Sequence, residues 1–247
     1  MSDTAPVFLV DALPDSETFV LDGPEGHHAA AVRRLGAGSA LVVSDGSGSA
    51  AACVVESVAG KDSLWLRISR RWHDPAPAIR IVLAQALVKG DRGELAVELA
   101  TETGVDSVVP WRAARCVARW DDGPRGAKAL ARWRSTAREA AKQARRTWVP
   151  PVAEPVSTAH LASLIQSASL GIVLDAAAPS GLTDLTLPGD GDVVLVVGPE
   201  GGISESELAV LEDAGAQVAR LGPTVLRAST AAAAAISALG VMTTRWR

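Results

Sequence analysis

The sequence predicts an α/β protein in which a small β-barrel precedes a larger domain built on a parallel sheet with helices on both faces. Three observations carry this reading. Short apolar strands broken by polar turns run from Val7 to Trp72. Asp74-Pro75-Ala76-Pro77-Ala78 then stops both helix and sheet, because proline lacks the backbone donor and fixes φ. Beyond it, strands and helices alternate, the pattern of strands laid parallel by helical crossovers. The expected domains are therefore residues 1–73 and 79–247.

In the first domain the predicted strands are Val7–Val10, Thr18–Leu21, Ala40–Ser44, Ala50–Val58 and Ser63–Arg71. The turns Asp45-Gly46-Ser47-Gly48 and Ala59-Gly60-Lys61-Asp62 separate the later ones, and a short helix over Gly26–Leu35 interrupts the set. In the second domain, strand Ile79–Ala84 leads to helix Arg92–Thr103, which Gly104 ends. Strand Ser107–Trp111, helix Gly126–Thr147 and strand Leu170–Leu174 follow. Val193–Val197 then leads to a helix over Ser204–Ala214, and Val218–Leu221 to the last helix, Ala228–Thr243.

Of the 247 residues 48% are hydrophobic, enough for a core, although alanine supplies much of that share. Two cysteines, Cys53 and Cys116, are too few for a disulfide framework, and no apolar run is long enough to span a bilayer. The N-terminus lacks a basic, then apolar, leader. A soluble cytoplasmic protein is expected. Four histidines and two scattered cysteines give no metal-ligand spacing, so no metal is expected. The net charge of −4 argues against indiscriminate coating of nucleic acid. Yet eleven basic residues fall between Arg112 and Arg146, opposed only by Asp121, Asp122 and Glu139. Along the predicted helix, Ala127, Leu130, Ala131, Ala137, Ala141 and Ala144 mark a core face. Lys128, Arg132, Arg138, Lys142 and Arg145 or Arg146 form a separate stripe, either a solvated face or a surface suited to phosphates, which the excess of bases over acids favours.

Two strand-to-helix junctions stand out. Gly198-Pro199-Glu200-Gly201-Gly202 follows the apolar run Val193–Val197, and the capping box Ser204-x-x-Glu207 starts the next helix. Leu221-Gly222-Pro223-Thr224-Val225-Leu226-Arg227 precedes Ala228-Ser229-Thr230. The first loop has neither dinucleotide-fold nor P-loop spacing, so it is either a plain tight turn or a ligand loop using free backbone N–H groups. The second is either a plain connection with Val225 and Leu226 in the core, or a ligand segment. Arg227 favours the latter, since an arginine at a helix start opposes the helix dipole.

These residues, with Leu83-Ala84-Gln85-Ala86-Leu87-Val88-Lys89-Gly90-Asp91-Arg92, Glu102-Thr103-Gly104-Val105-Asp106, Arg132-Trp133, Glu139-Ala140-Ala141-Lys142-Gln143 with Arg146, and His27-His28, resemble the RsmE-type bacterial 16S ribosomal RNA uridine N3-methyltransferases of the SPOUT (trefoil-knot) superfamily. The likeness covers nearly the whole chain. It implies a PUA-like RNA-binding barrel, a knotted methyltransferase domain, a homodimer and a uridine of 16S rRNA in the small subunit as substrate. It implies S-adenosylmethionine held by Leu174, Gly198, Pro199, Glu200, Gly201, Gly202, Leu221, Gly222, Val225, Leu226 and Arg227. Arg227 and Glu200 become the catalytic candidates, the first stabilising charge on the uracil oxygens, the second orienting the base or taking its proton. RNA contacts fall to His27, Arg33, Lys89, Arg92, Arg138, Lys142, Gln143 and Arg146. Three departures are visible: Ser229 stands where the family has a glutamate, Gly93 follows Arg92 where it has methionine, and Pro6-Val7-Phe8 replaces Arg-x-Phe. The alternatives are ribose 2′-O or guanine N1 transfer, or a non-catalytic RNA-binding assembly factor.

Overall fold

The computed structural model describes residues 5–246, so the outermost ends of the expected domains lie outside the described residues. The chain forms two compact units. One takes the residues up to Ala76 together with Ala141–Val149; the other takes Pro77–Ala140 and the chain from Pro150 onward.

The first unit holds strands β1 (Val7–Leu9), β2 (Thr18–Leu21), β3 (Ala40–Ser44), β4 (Ser49–Ala59) and β5 (Ser63–His73), and the short helix α1 (Gly23–His27). They make one sheet in the order β1-β3-β4-β5-β2, parallel only between β1 and β3. Register shifts at Ala52/Cys53 and Val55/Ser57 are bulges, which bend the long β4–β5 hairpin over its core. That core contains Phe8, Leu21, Leu41, Val43, Val55, Leu64 and Leu66. The helix predicted over Gly26–Leu35 starts earlier, with Pro24 in its first turn, and continues as a π-helical turn over His28–Val32. Gly26 is required there, because a Cβ would come within 2.5 Å of the Asp62 and Leu21 carbonyl oxygens.

Ala141–Val149 joins this unit through specific bonds. Gly48 N–H and the Ser44 hydroxyl both donate to the Thr147 carbonyl (3.0 and 3.1 Å), and Val149 N–H donates to Gly46 O (2.9 Å). Trp148 Nε1 donates to Asp74 O at 2.9 Å. A Cβ on Gly48 would lie 2.7 Å from the Trp148 ring, so the Asp45–Gly48 turn is a docking surface as well as a hairpin connection.

The second unit contains β6 (Ile79–Ala86), α2 (Arg92–Glu102), β7 (Ser107–Trp111), α3 (Pro124–Gln143, whose last turn belongs to the first unit), α4 (Thr158–Ser167) and β8 (Leu170–Leu174). It continues with β9 (Gly191–Val197), α5 (Glu205–Asp213), β10 (Ala216–Ala219) and α6 (Ala228–Met242). The sheet is wholly parallel, in the order β10-β8-β9-β6-β7. Leu83, Leu195 and Ile172 stand in register across β6, β9 and β8 and are fully buried, as strands covered on both faces require. α6 packs against α2, β6 and β9, whereas α4 and α5 pack together beside β8 and β10. The chain leaving β10 at the sheet edge must therefore cross the C-terminal ends of β8 and β9 to reach α6.

The helix expected over Gly126–Thr147 runs instead over Pro124–Gln143, and two further expectations need correction. The sequence reading has no helix between Thr147 and Leu170, yet α4 forms there: Ser157 caps it by accepting from His160 N–H, and Leu161 and Ile165 are buried at helical spacing. On α3 the buried face is Ala129, Leu130, Trp133, Ala137, Ala140 and Ala141, while Ala127 and Ala131 are exposed. Trp133 decides the phase, since one large ring outweighs several alanines in buried area.

Candidate functional site

β8, β9 and β10 are adjacent and parallel, so their C-terminal ends open on one side of the sheet. There the Gly198–Gly202 loop, the 221–227 segment and the end of β8 enclose a cleft of about 450 Å³. It brings together Leu174, Gly198, Pro199, Glu200, Gly202, Leu221, Gly222, Val225, Leu226 and Arg227, ten of the residues singled out from sequence, and adds Arg92. Gly201 does not line it; the position of its Cβ faces Arg115 Cβ at 3.3 Å. Thr224 of the expected ligand segment lines it too, as do Asp175, Ala176, Ile203, Ala228 and Ala231, which the sequence reading does not assign to the site.

Each wall has a physical reason. Gly202 N–H closes a turn on Pro199 O (2.9 Å), and Gly202 has φ +72°, a conformation that glycine adopts without strain. A Cβ on Gly198 would meet Ile203 Cγ1 at 2.8 Å. Gly222 is different: a Cβ there would meet nothing within 4 Å, yet the residue lines the cleft. Its missing side chain leaves bare backbone for an occupant. Val225 and Leu226 are 82% and 39% exposed, so they are not core residues of a plain connection. Arg227 is the N-cap residue of α6, with an extended backbone and no capping bond from its side chain.

The glycine loop is braced from outside. Arg115 Nη1 donates to the carbonyls of Gly201 (3.2 Å) and Ile203 (3.4 Å). The capping box is the centre of a larger network. Buried Glu207 accepts from Ser204 Oγ (2.7 Å), Ala114 N–H (2.7 Å), Thr158 Oγ1 (3.0 Å) and Ser204 N–H (3.3 Å). Burial pushes its carboxyl pKa up, but these donors outweigh that and hold it below the usual glutamate value. Sequence spacing revealed the cap but gave no sign of the contacts from Ala114 and Thr158.

Two carboxylates line the cleft. Asp175 Oδ1 accepts from Ala177 N–H (2.7 Å), whereas Glu200 stands 3.7 Å from Arg92. Ser229 is buried and does not line the cleft. The basic candidates are dispersed. Lys89, Arg92 and Arg138 are exposed on the second unit. On the first unit Arg33 and Gln143 are exposed, Arg146 is half-buried, and His27 Nδ1 lies 2.7 Å from Asp62. Lys142 departs from the expected stripe: it is buried, and its Nζ donates to Glu25 at 2.9 Å within the first unit. Its ammonium is committed to the fold, not presented to solvent. Cys53 is buried, and burial pushes its thiol up to about 12, an inert state.

The RNA methyltransferase domain model matches residues 74–240, and the RNA methyltransferase PUA domain model matches residues 21–69. A ribosomal RNA small subunit methyltransferase E from Mycobacterium bovis is 49% identical over 98% of this chain and 94% of its own length. One from Bacillus subtilis is 30% identical, over 94% of this chain and 93% of its own length. The crystal structure of such an enzyme from Neisseria gonorrhoeae, bound to S-adenosyl methionine, superposes with a TM-score of 0.84 at 28% identity, covering 97% of this chain and 98% of that one. The chain belongs to the ribosomal RNA small subunit methyltransferase E family. The expected fold class, a PUA-like domain before the family's α/β methyltransferase domain, is borne out.

Proposed function

We propose that this protein uses S-adenosylmethionine to methylate N3 of a uridine in 16S rRNA of the small ribosomal subunit, acting as a cytoplasmic homodimer. The observation that carries the reading is the cleft itself, which joins backbone and apolar walls to charges of both signs, fitting a ligand that is part adenosine and part amino acid. Leu174, Leu221 and Leu226 supply apolar packing, while Gly198, Gly202 and Gly222 let backbone N–H groups approach. The bound cofactor supplies an activated methyl group on a sulfonium. The protein contributes placement and charge. Arg227, at the lip of the cleft, stabilises the negative charge that grows on the uracil oxygens as N3 loses its proton. Glu200 is the carboxylate we assign to orienting the base and receiving that proton, with Arg92 holding it in place.

RNA recognition is assigned to the first unit, through His27, Arg33, Gln143 and Arg146, and to Lys89, Arg92 and Arg138 on the second. Exposed Val225 and Leu226 at the cleft, with Leu95 and Val241 of α2 and α6, support dimerisation through this unit. Light scattering should give twice the chain mass.

Methylating small subunits from a strain lacking the gene, and mapping the product by mass spectrometry, tests the whole reading. N3-methyluridine is the expected product. A ribose or guanine methyl group would overturn the assigned atom, and absence of S-adenosylmethionine binding in calorimetry would overturn the enzymatic reading. Arg227→Ala should lower turnover at saturating cofactor by more than any loss of cofactor affinity explains; unchanged turnover would remove Arg227 from catalysis.

A further inference from the structure

A second cavity, of about 510 Å³, lies in the methyltransferase unit beside the first turn of α2. Its polar wall is Asp91, Glu94, Arg119, Arg125 and Arg132, with Trp120 as its aromatic element. Arg132 Nε donates to Glu94 Oε1 at 3.0 Å, so these two charges offset each other. Arg119 and Arg125 have no ion-pair partner among the described residues. They face one remaining carboxylate, Asp91, whose side chain makes no capping bond. Two guanidiniums without an ion-pair partner among the described residues, both lining one cavity, favour an anion, and the planar fork suits a phosphate.

The aromatic element is fixed in place. The half-buried Trp120 ring packs edge-on against Trp133, with centroids 4.8 Å apart and planes at 77°, and Trp133 is 2% exposed. A ring anchored in this way can stack a base without first losing rotamer freedom. The cavity also adjoins the cleft: Asp91 lines the cavity and the next residue, Arg92, lines the cleft.

We propose that this cavity is a subsite for a nucleotide flanking the methylated uridine, its phosphate on Arg119 and Arg125 and its base against Trp120. Asp91 then accepts from a base N–H, the role a lone carboxylate plays at a base edge. The proposal rests on the RNA-modifying reading above and adds to it the place where the strand leaves the reacting nucleotide.

The test uses the full chain, with binding of small-subunit RNA followed across a salt series and S-adenosylmethionine binding followed by calorimetry. Arg119→Ala/Arg125→Ala should weaken RNA binding about tenfold and reduce the slope of log affinity against log salt by about one to two. Its cofactor affinity should not change. Lys128→Ala, an exposed cation of α3 outside the cavity, controls for diffuse charge and should have a smaller effect. Trp120→Leu keeps an apolar side chain against Trp133 and should cost about tenfold through lost stacking. Double-variant binding equal to wild type, or no weaker than that of Lys128→Ala, overturns the subsite alone. A wild-type chain that binds no small-subunit RNA overturns both the subsite and the reading beneath it.

Discussion

Glu207 shows how one side chain can hold a site it does not touch. It anchors the start of α5, directly after the glycine loop, to Ala114 and to Thr158. Because its folded pKa lies below the ordinary value, its stabilisation is fully present above that value, about 4.3, and is lost as pH falls through the lower folded value. Stability measured by denaturant should therefore fall only as the pH drops below the ordinary glutamate value. Glu207→Gln should flatten that decline and cost about 2 kcal/mol at neutral pH, the range for hydrogen bonds to a charged acceptor. An unaltered acid limb in the variant would assign the decline to other carboxylates. Gly222 gives the opposite kind of prediction. Its φ lies outside the left-handed region and a Cβ meets open space, so Gly222→Val should leave the melting temperature unchanged. It should still weaken S-adenosylmethionine binding at least about tenfold by filling the cleft, 1.4 kcal/mol being one decade; normal affinity in calorimetry would move the cofactor elsewhere. Most of the cleft was readable from sequence because glycine, proline and a capping box mark loops at strand ends. Arg115 was not, since its bonds to Gly201 and Ile203 carbonyls span more than eighty residues.

Among the elements, α2 and α3 explain one another. Gly93 is the second residue of α2, where alanine is still the better helix former, and it departs from the methionine the family likeness leads one to expect. The reason is a contact on α3: a Cβ at Gly93 would lie 2.7 Å from Trp133 Cζ2 and 2.9 Å from its Nε1. Trp133 is buried and edge-packed by Trp120, so it cannot swing clear. Gly93→Ala should then invert the propensity rule and destabilise by about 1–3 kcal/mol, as overpacking does. Urea unfolding checks the sign, and a gain in stability would mean that the ring relaxes. The strands and most helices could be read because apolar runs and Gly/Pro breaks are local signals. The face of α3 could not, because alanine fits a core face and a solvent face equally well. α4 was passed over although Ser157, Leu161 and Ile165 carried its cap and its spacing.

For the molecule as a whole, the organisation hidden from sequence is the return of Ala141–Val149 to the barrel unit. No composition shift marks it, since it continues an alanine- and arginine-rich helix and is committed by pairing with residues a hundred positions away. Lys142 is the clearest case. Its side chain is 7% exposed and its partner Glu25 14%, so the pair is desolvated. Removing one member of such a pair takes away part of the other's charge compensation, and Lys142→Ala should destabilise by up to about 3–5 kcal/mol. Replacing both, as in Lys142→Met with Glu25→Leu, should recover most of that loss, because an apolar pair of similar volume need not be solvated or matched. Denaturant unfolding of the full chain, followed by tryptophan emission and read beside small-subunit RNA binding, separates the two roles. A large loss in the single variant and recovery in the double one place Lys142 in the fold. Retained stability with weakened RNA binding would return it to the basic stripe that the sequence pattern suggested.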